Sequence, residues 1–115
     1  MKTTVYYYTT PTDKKVVQEF INSLEKAQQA KVIRIMKTIE EYGLESITPH
    51  IKKLTGTPLW EIRILGKDNI RIFYVTFTRE SVLVLHGFLK KKQKTDMKEI
   101  SIALGRLEES RKSAS

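Results

Sequence analysis

With 115 residues, 40% of them hydrophobic and 30% charged, the chain suits one globular domain spanning residues 1–115 and is too short for two. Its 21 Lys and Arg against 13 Asp and Glu leave a formal net charge of +8, which favours a polyanionic partner, either nucleic acid or an anionic membrane surface. The lack of cysteine excludes disulfides, a thiolate nucleophile and thiolate metal sites, and the two histidines, His50 and His86, are too few for a zinc site, so neither metal nor other cofactor is expected.

Residues 3–9 are rich in β-branched and aromatic side chains and predict a first strand, punctuated by Pro11. Val16, Val17, Phe20, Ile21 and Leu24 then recur at helical spacing. After a polar break near Glu25 and Lys26, Val32, Ile35, Met36, Ile39 and Tyr42 form the stripe of a second helix, closed by Gly43. Pro49 predicts a turn or loop. Three strand-like runs follow at 59–65, 70–77 and 81–89, joined by short spacers with turn chemistry, and they predict an antiparallel meander. A final helix begins after the lysine run, with Thr95 as N-cap, Asp96 in its first turn and Met97, Ile100, Ala103, Leu104 and Leu107 on its apolar face. Residues 110–115 are polar and expected to fray. The expected class is α+β: strand, two helices, three-stranded antiparallel meander, C-terminal helix, with the helices over one sheet face and the other face free. No run approaches the roughly twenty apolar residues of a membrane span. The first six residues lack the apolar stretch of a signal peptide, so a cytoplasmic protein is expected.

Strand alternation puts Trp60, Ile62 and Ile64 on one sheet face and Glu61 and Arg63 on the other. If Arg71 joins the charged face it pairs near Arg63, which requires a three-residue loop around Gly66, Lys67 and Asp68. Ile70, Ile72 and Tyr74 then match the apolar set, and two guanidiniums and a carboxylate share one exposed patch. Such a patch suits RNA, whose ribose 2′-hydroxyl supplies its own nucleophile. Arginines would orient the phosphate and stabilise its charge. The candidates for proton transfer are Glu61, His86 and a lysine from Lys90, Lys91 and Lys92. Plainer readings stand beside these. Glu61 and Arg63 also fit a solvated strand face, and the lysine run a solvated loop. His86, in an apolar strand, fits a structural histidine bonded to backbone better than a catalytic one. Trp60 and the run Tyr6, Tyr7, Tyr8 fit core or edge positions better than base-stacking platforms. Lys52 and Lys53 fit either RNA-backbone contacts or surface charge.

The segments KKLTGTPLWEIRI (52–64), IRIFY (70–74) and LHGFLKKKQKT (85–95) resemble, in order and spacing, the phage-type HigB branch of the RelE toxin superfamily, over about the C-terminal two thirds of the chain. The resemblance implies a toxin that cuts mRNA in the ribosomal A site without a metal, held in check by a cognate antitoxin of helix-turn-helix type. It implies catalytic roles for Glu61 and Arg63 on the second strand, for Arg71 as phosphate-binding arginine of the third, and for Lys90 and Lys91 after the last. Lys52, Lys53, Lys92 and Lys94 would contact RNA. Some relatives carry a catalytic tyrosine in or after that last segment, where this chain offers Phe88 and Met97. The alternative is a non-catalytic basic module that binds RNA or the antitoxin.

Overall fold

The computed structural model describes residues 2–64, 66, 69–78, 80–91 and 97–114, with side chains as far as 112. Strand β1 (Thr4–Tyr7) leads into helices α1 (Val16–Ser23) and α2 (Lys26–Tyr42). A 3₁₀ segment (Leu44–His50) and a short strand β2 (Ile51–Lys53) follow, then β3 (Trp60–Ile64), β4 (Ile70–Thr78), β5 (Ser81–Leu89) and α3 (Met97–Ala114). The strands form one five-stranded mixed sheet in the order β1-β5-β4-β3-β2. The meander is antiparallel as expected, while β1 returns to pair parallel with β5, Thr4 opposite Ser81.

The polar break between the helices is a capping box: the Glu25 N–H donates to the Gln28 side chain at 2.9 Å, and the Glu25 carboxylate accepts from the Gln28 backbone. Gly43 ends α2 with φ of 83°, and its N–H bonds the Ile39 carbonyl. Val32, Met36 and Ile39 of α2 are buried, whereas Tyr42, its last residue, is exposed and drops out of the expected stripe. Strand β2 was absent from the expected order because three residues are too few to show alternation; it is recognisable only through its pairing, Ile51 opposite Ile62.

The larger correction concerns the helices, which the sequence reading placed over one sheet face. α1 packs on the face carrying Gly87, where a Cβ would sit 2.6 Å from the Phe20 ring, so only glycine admits that approach. α3 lies on the opposite face, tied to β5 through His86 and the Leu85 carbonyl. A β-bulge makes this possible. Phe73 pairs with His86 but Tyr74 with Val84, so Leu85 is the extra residue, and strand parity shifts along β5. Val82, Val84 and Gly87 then share one face, while Leu85, His86 and Phe88 turn towards α3. Ile100, Ala103 and Leu107 are the buried side of α3, whereas Met97 is 70% exposed and leaves the expected apolar face. The helix runs on to Ala114 rather than fraying from Ser110, whose Oγ donates to the Arg106 carbonyl at 2.9 Å. Thr95 and Asp96, expected at its start, lie outside the described residues. The fully buried Ile62 and Ile72 face each other across β3 and β4, and truncating either to Ala should cost about 2–5 kcal/mol.

Candidate active site

Residues paired across neighbouring strands share a sheet face, so register decides what the site contains. On the α3 face, one row runs Lys52, Glu61, Phe73 and His86 across β2 to β5, and the next runs Arg63, Arg71 and Phe88. The expected pairing of Arg63 with Arg71 is present and the apolar residues match as expected, Ile62 with Ile72 and Ile64 with Ile70, while Tyr74 is opposite Trp60. Lys67 and Asp68 of the intervening turn lie outside the described residues. Lys53 pairs with Trp60 on the other face, its Nζ 5.4 Å from the ring centroid. The two lysines expected to act together are therefore divided by strand parity. Lys92 and Lys94 lie outside the described residues.

The Glu61 carboxylate sits between the two guanidiniums, with Oε1 3.8 Å from Nε of Arg63 and 3.9 Å from Nε of Arg71. The expectation of a wholly exposed patch is overturned: Arg63 has a 47% exposed side chain, but Glu61 and Arg71 are only 7% and 4% exposed. Position in the sheet explains the split. Arg71 stands on an inner strand between Arg63 and Phe88, whereas β2 begins at Ile51, opposite Ile62, and leaves no strand residue beside Arg63. Arg71 donates one terminal N–H to the Ile70 carbonyl at 3.3 Å, and its Nε–H has no hydrogen-bond partner among the described residues. Burial pulls the Arg71 guanidinium below its ordinary pKa, Glu61 opposes that, and Arg63 adds to it. A buried N–H left unpaired costs about 1–3 kcal/mol, a cost that an anionic ligand at Nε would relieve.

The lysine run begins at the same end of the sheet. β5 ends at Leu89, opposite Ile70, and the Lys90 N–H donates to the Asn69 carbonyl at 3.0 Å, so the half-buried Lys90 and exposed Lys91 follow directly beside the start of β4. Arg63, Arg71, Lys90 and Lys91 thus converge on one end of the sheet, with Lys52 two strands away from Arg71 on the same face. That arrangement can hold a phosphodiester by charge-assisted hydrogen bonds while a carboxylate stands within reach of its ribose.

His86 is separate from this chemistry. Arginine can only donate, so at 3.2 Å from Arg106 the His86 Nδ1 must accept, and Nε2 carries the proton that it donates to Glu99 at 2.9 Å. Burial lowers the His86 pKa, Glu99 opposes the shift, and Arg106 adds to it. Both nitrogens are engaged by side chains of α3 rather than by backbone, an arrangement that fits a structural histidine. Arg106 also donates to the Leu85 carbonyl at 2.9 Å and lies 5.2 Å over the Tyr8 ring, whose hydroxyl donates to Glu109.

The sequence matches the family described as Phage derived protein Gp49-like (DUF891) over residues 19–108, well over half of the chain. The chain belongs to that Gp49-like family. Among solved structures, the Gp49-like chain is similar to a double arginine-to-alanine mutant of the E. coli toxin RelE in the free state, with a TM-score of 0.62 and 16% identity over 92% of this chain and 98% of that one. It therefore has a RelE-like fold, and the resemblance read from the sequence holds at the level of the fold. No protein of curated function matches it significantly.

Two features of this Gp49-like site escaped the sequence reading. Lys31 of α2 reaches the β3–β4 hairpin, where a Cβ on Gly66 would lie 3.1 Å from its Nζ, and so adds a cation to the basic end. Nothing in the spacing of α2 relates Lys31 to a turn 35 residues later in the chain. The Glu99–His86–Arg106 contacts were equally hidden, since helical periodicity reports the apolar side of α3 and not the polar residues flanking it.

Proposed function

We propose that this Gp49-like protein is the toxin of a toxin–antitoxin pair, a HigB-type endoribonuclease that cleaves mRNA on the ribosome and so inhibits translation. The single observation carrying the catalytic part is the buried Arg71, with an unpartnered Nε–H beside a carboxylate and a second guanidinium. In the reaction the 2′-oxygen attacks its own phosphorus, the P–O5′ bond breaks, and a 2′,3′-cyclic phosphate and a 5′-hydroxyl result. Arg71 holds the scissile phosphate and stabilises its developing charge, with Arg63 on the exposed side. Glu61 accepts the 2′ proton, and Lys90 or Lys91 delivers one to the leaving 5′-oxygen. Lys52 tracks the flanking backbone from β2, and Lys92 and Lys94 extend the basic run. The guanidiniums supply the charge that a metal would otherwise bring.

The toxin reading is supported by the Gp49-like family match and the RelE-like fold together. It carries with it a cognate antitoxin, of helix-turn-helix type, and a cytoplasmic place of action beside the ribosome. No helix among the described residues is long and apolar enough to cross a membrane. A second reading, a non-catalytic module that binds RNA or the antitoxin, draws on Phe88, which sits beside Arg71 without a hydroxyl. The two separate in one experiment with mRNA programmed into ribosomes. Cleavage with cyclic-phosphate or 3′-phosphate ends, blocked by a single 2′-deoxy substitution at the cut site, is the expected result. RNA binding with no cleavage would give the assignment to the second reading, and cleavage that survives the 2′-deoxy substitution would overturn the chemistry.

A further inference from the structure

Beyond the cationic end, the described residues line an open cavity of about 730 Å³ at the opposite end of the same sheet face, between β1, the C-terminal part of β4 and the last turns of α3. That volume falls in the range of small-ligand pockets, about 300–1,000 Å³. Its walls are aromatic. Tyr6 and Phe77 line it and are 53% and 57% exposed, unusual for large apolar side chains, and the buried Tyr8 forms part of its wall. Its charge runs against that of the molecule: in a chain of net charge +8, the cavity is lined by two carboxylates, Asp13 and Glu109, and by no Lys or Arg among the described residues.

The carboxylates are placed by local structure. The Asp13 N–H bonds the Thr10 carbonyl in a turn that Lys14 closes on Thr10 Oγ1, while the Lys14 ammonium is directed to Glu19 at 4.0 Å. Glu109 is held by the Tyr8 hydroxyl through one of its oxygens. Ring faces bordered by carboxylates attract a cation, and a planar guanidinium gains most because it stacks on the ring and hydrogen-bonds the carboxylate at once. Exposed aromatics meeting arginine are also the usual anchors of protein interfaces.

We propose that this cavity is a docking pocket for an arginine side chain presented by a partner polypeptide. Phe77 stands six residues along β4 from Arg71, about 20 Å away, so the pocket can be occupied while the cationic end binds phosphate. It stands or falls independently of the nuclease assignment.

The test titrates the full chain, isotopically labelled, with acetyl-Gly-Arg-Gly-amide and with the shorter, uncharged norleucine peptide, followed by NMR. The arginine peptide should shift the Tyr6 and Phe77 ring resonances saturably, with at least about tenfold higher affinity than the norleucine peptide. Tyr6→Ala and Phe77→Ala, at exposed positions that folding tolerates, should each abolish the shifts and leave RNA cleavage unchanged. Asp13→Asn with Glu109→Gln keeps the shape and the Tyr8 hydrogen bond but should weaken the arginine peptide at least about fivefold. Equal affinity for the two peptides, no saturable shift into the millimolar range, or shifts unaffected by the double carboxylate variant would each overturn the proposal.

Discussion

The α3 face of the sheet has two halves that treat buried charge in opposite ways. Over β5, the chain Glu99, His86, Arg106, Tyr8, Glu109 passes from group to group, and both His86 nitrogens have partners. Over β3 and β4, Glu61 meets two guanidiniums at ion-pair distance but not at hydrogen-bond distance, and the buried Arg71 Nε–H has no hydrogen-bond partner among the described residues. The first half behaves as a structural network, whose polar groups satisfy one another so that α3 can dock. The second withholds that satisfaction, which is how a site reserved for an external anion differs from a core.

The comparison breaks most visibly at Arg71. Arg71→Ala should slow cleavage of ribosome-bound mRNA by about two orders of magnitude or more, the scale of losing one transition-state donor. The thermal midpoint should fall while the protein still folds, because the substitution leaves the buried Glu61 with Arg63 alone and empties the space of a packed guanidinium, which outweighs the relief of one unpartnered N–H. Arg71→Lys should recover little activity, since an ammonium cannot reproduce the fork. An Arg71→Ala protein that folds normally and cleaves at the parental rate would show that the two halves do not differ in function.

In the other half the signs reverse. His86→Ala should lower stability by about 1–3 kcal/mol, because Glu99 and Arg106 lose their partner, and should change cleavage only in proportion to the folded fraction. Chemical denaturation read beside single-turnover cleavage separates the two effects. A loss of cleavage at full folding would move His86 back among the catalytic groups.

A smaller effect comes from protonation of the same ring. The His86 pKa is depressed in the folded protein, so below the ordinary value of about 6.5 the unfolded chain takes up the proton more readily. The stability this histidine contributes is fully present above about pH 6.5 and is lost as pH falls through the folded value. Thermal midpoints measured from pH 7.5 down to 5.5 should therefore decline more steeply in the parent than in His86→Ala. Parallel slopes would mean that Glu99 cancels the effect of burial, and a shallower decline in the parent that Glu99 outweighs it.

The cationic half was largely legible from the residues alone, and the reason is local. Alternation in WEIRI and IRIFY fixes which side chains share a face, and a short turn leaves few registers, so Arg63 had to meet Arg71 once the apolar partners were matched. Burial was not legible, because it depends on which strands lie on either side: Arg71 is flanked on both and Arg63 on one. The His86 half was illegible for two reasons. The bulge at Leu85 reverses parity within an unbroken apolar run, where alternation carries no signal. Its partners come from a helix 13 and 20 residues further on, a separation about which periodicity says nothing. Nothing in the alternation of β5 told which side of the sheet α3 would cover, and α3 lies on the face expected to be free.

The finest test of the comparison uses two adjacent lysines. Lys52 and Lys53 carry the same charge and are both exposed, but Lys52 is opposite Glu61 on the α3 face and Lys53 is opposite Trp60 on the other. Non-specific attraction of RNA to a protein of net charge +8 would treat them alike. A bound backbone that runs along the β3–β4 face would not. Lys52→Ala should reduce the salt dependence of RNA affinity by about one unit of slope, the loss of one phosphate contact, and Lys53→Ala by much less. Both should fold as the parent does, since an exposed lysine contributes little to stability and the cation–π contact of Lys53 is worth only about 0.5–1 kcal/mol. Equal slopes for the two variants would mean that RNA senses the total charge and not the face, and the reading of β2 as part of the site would fail while that of Arg71 stood.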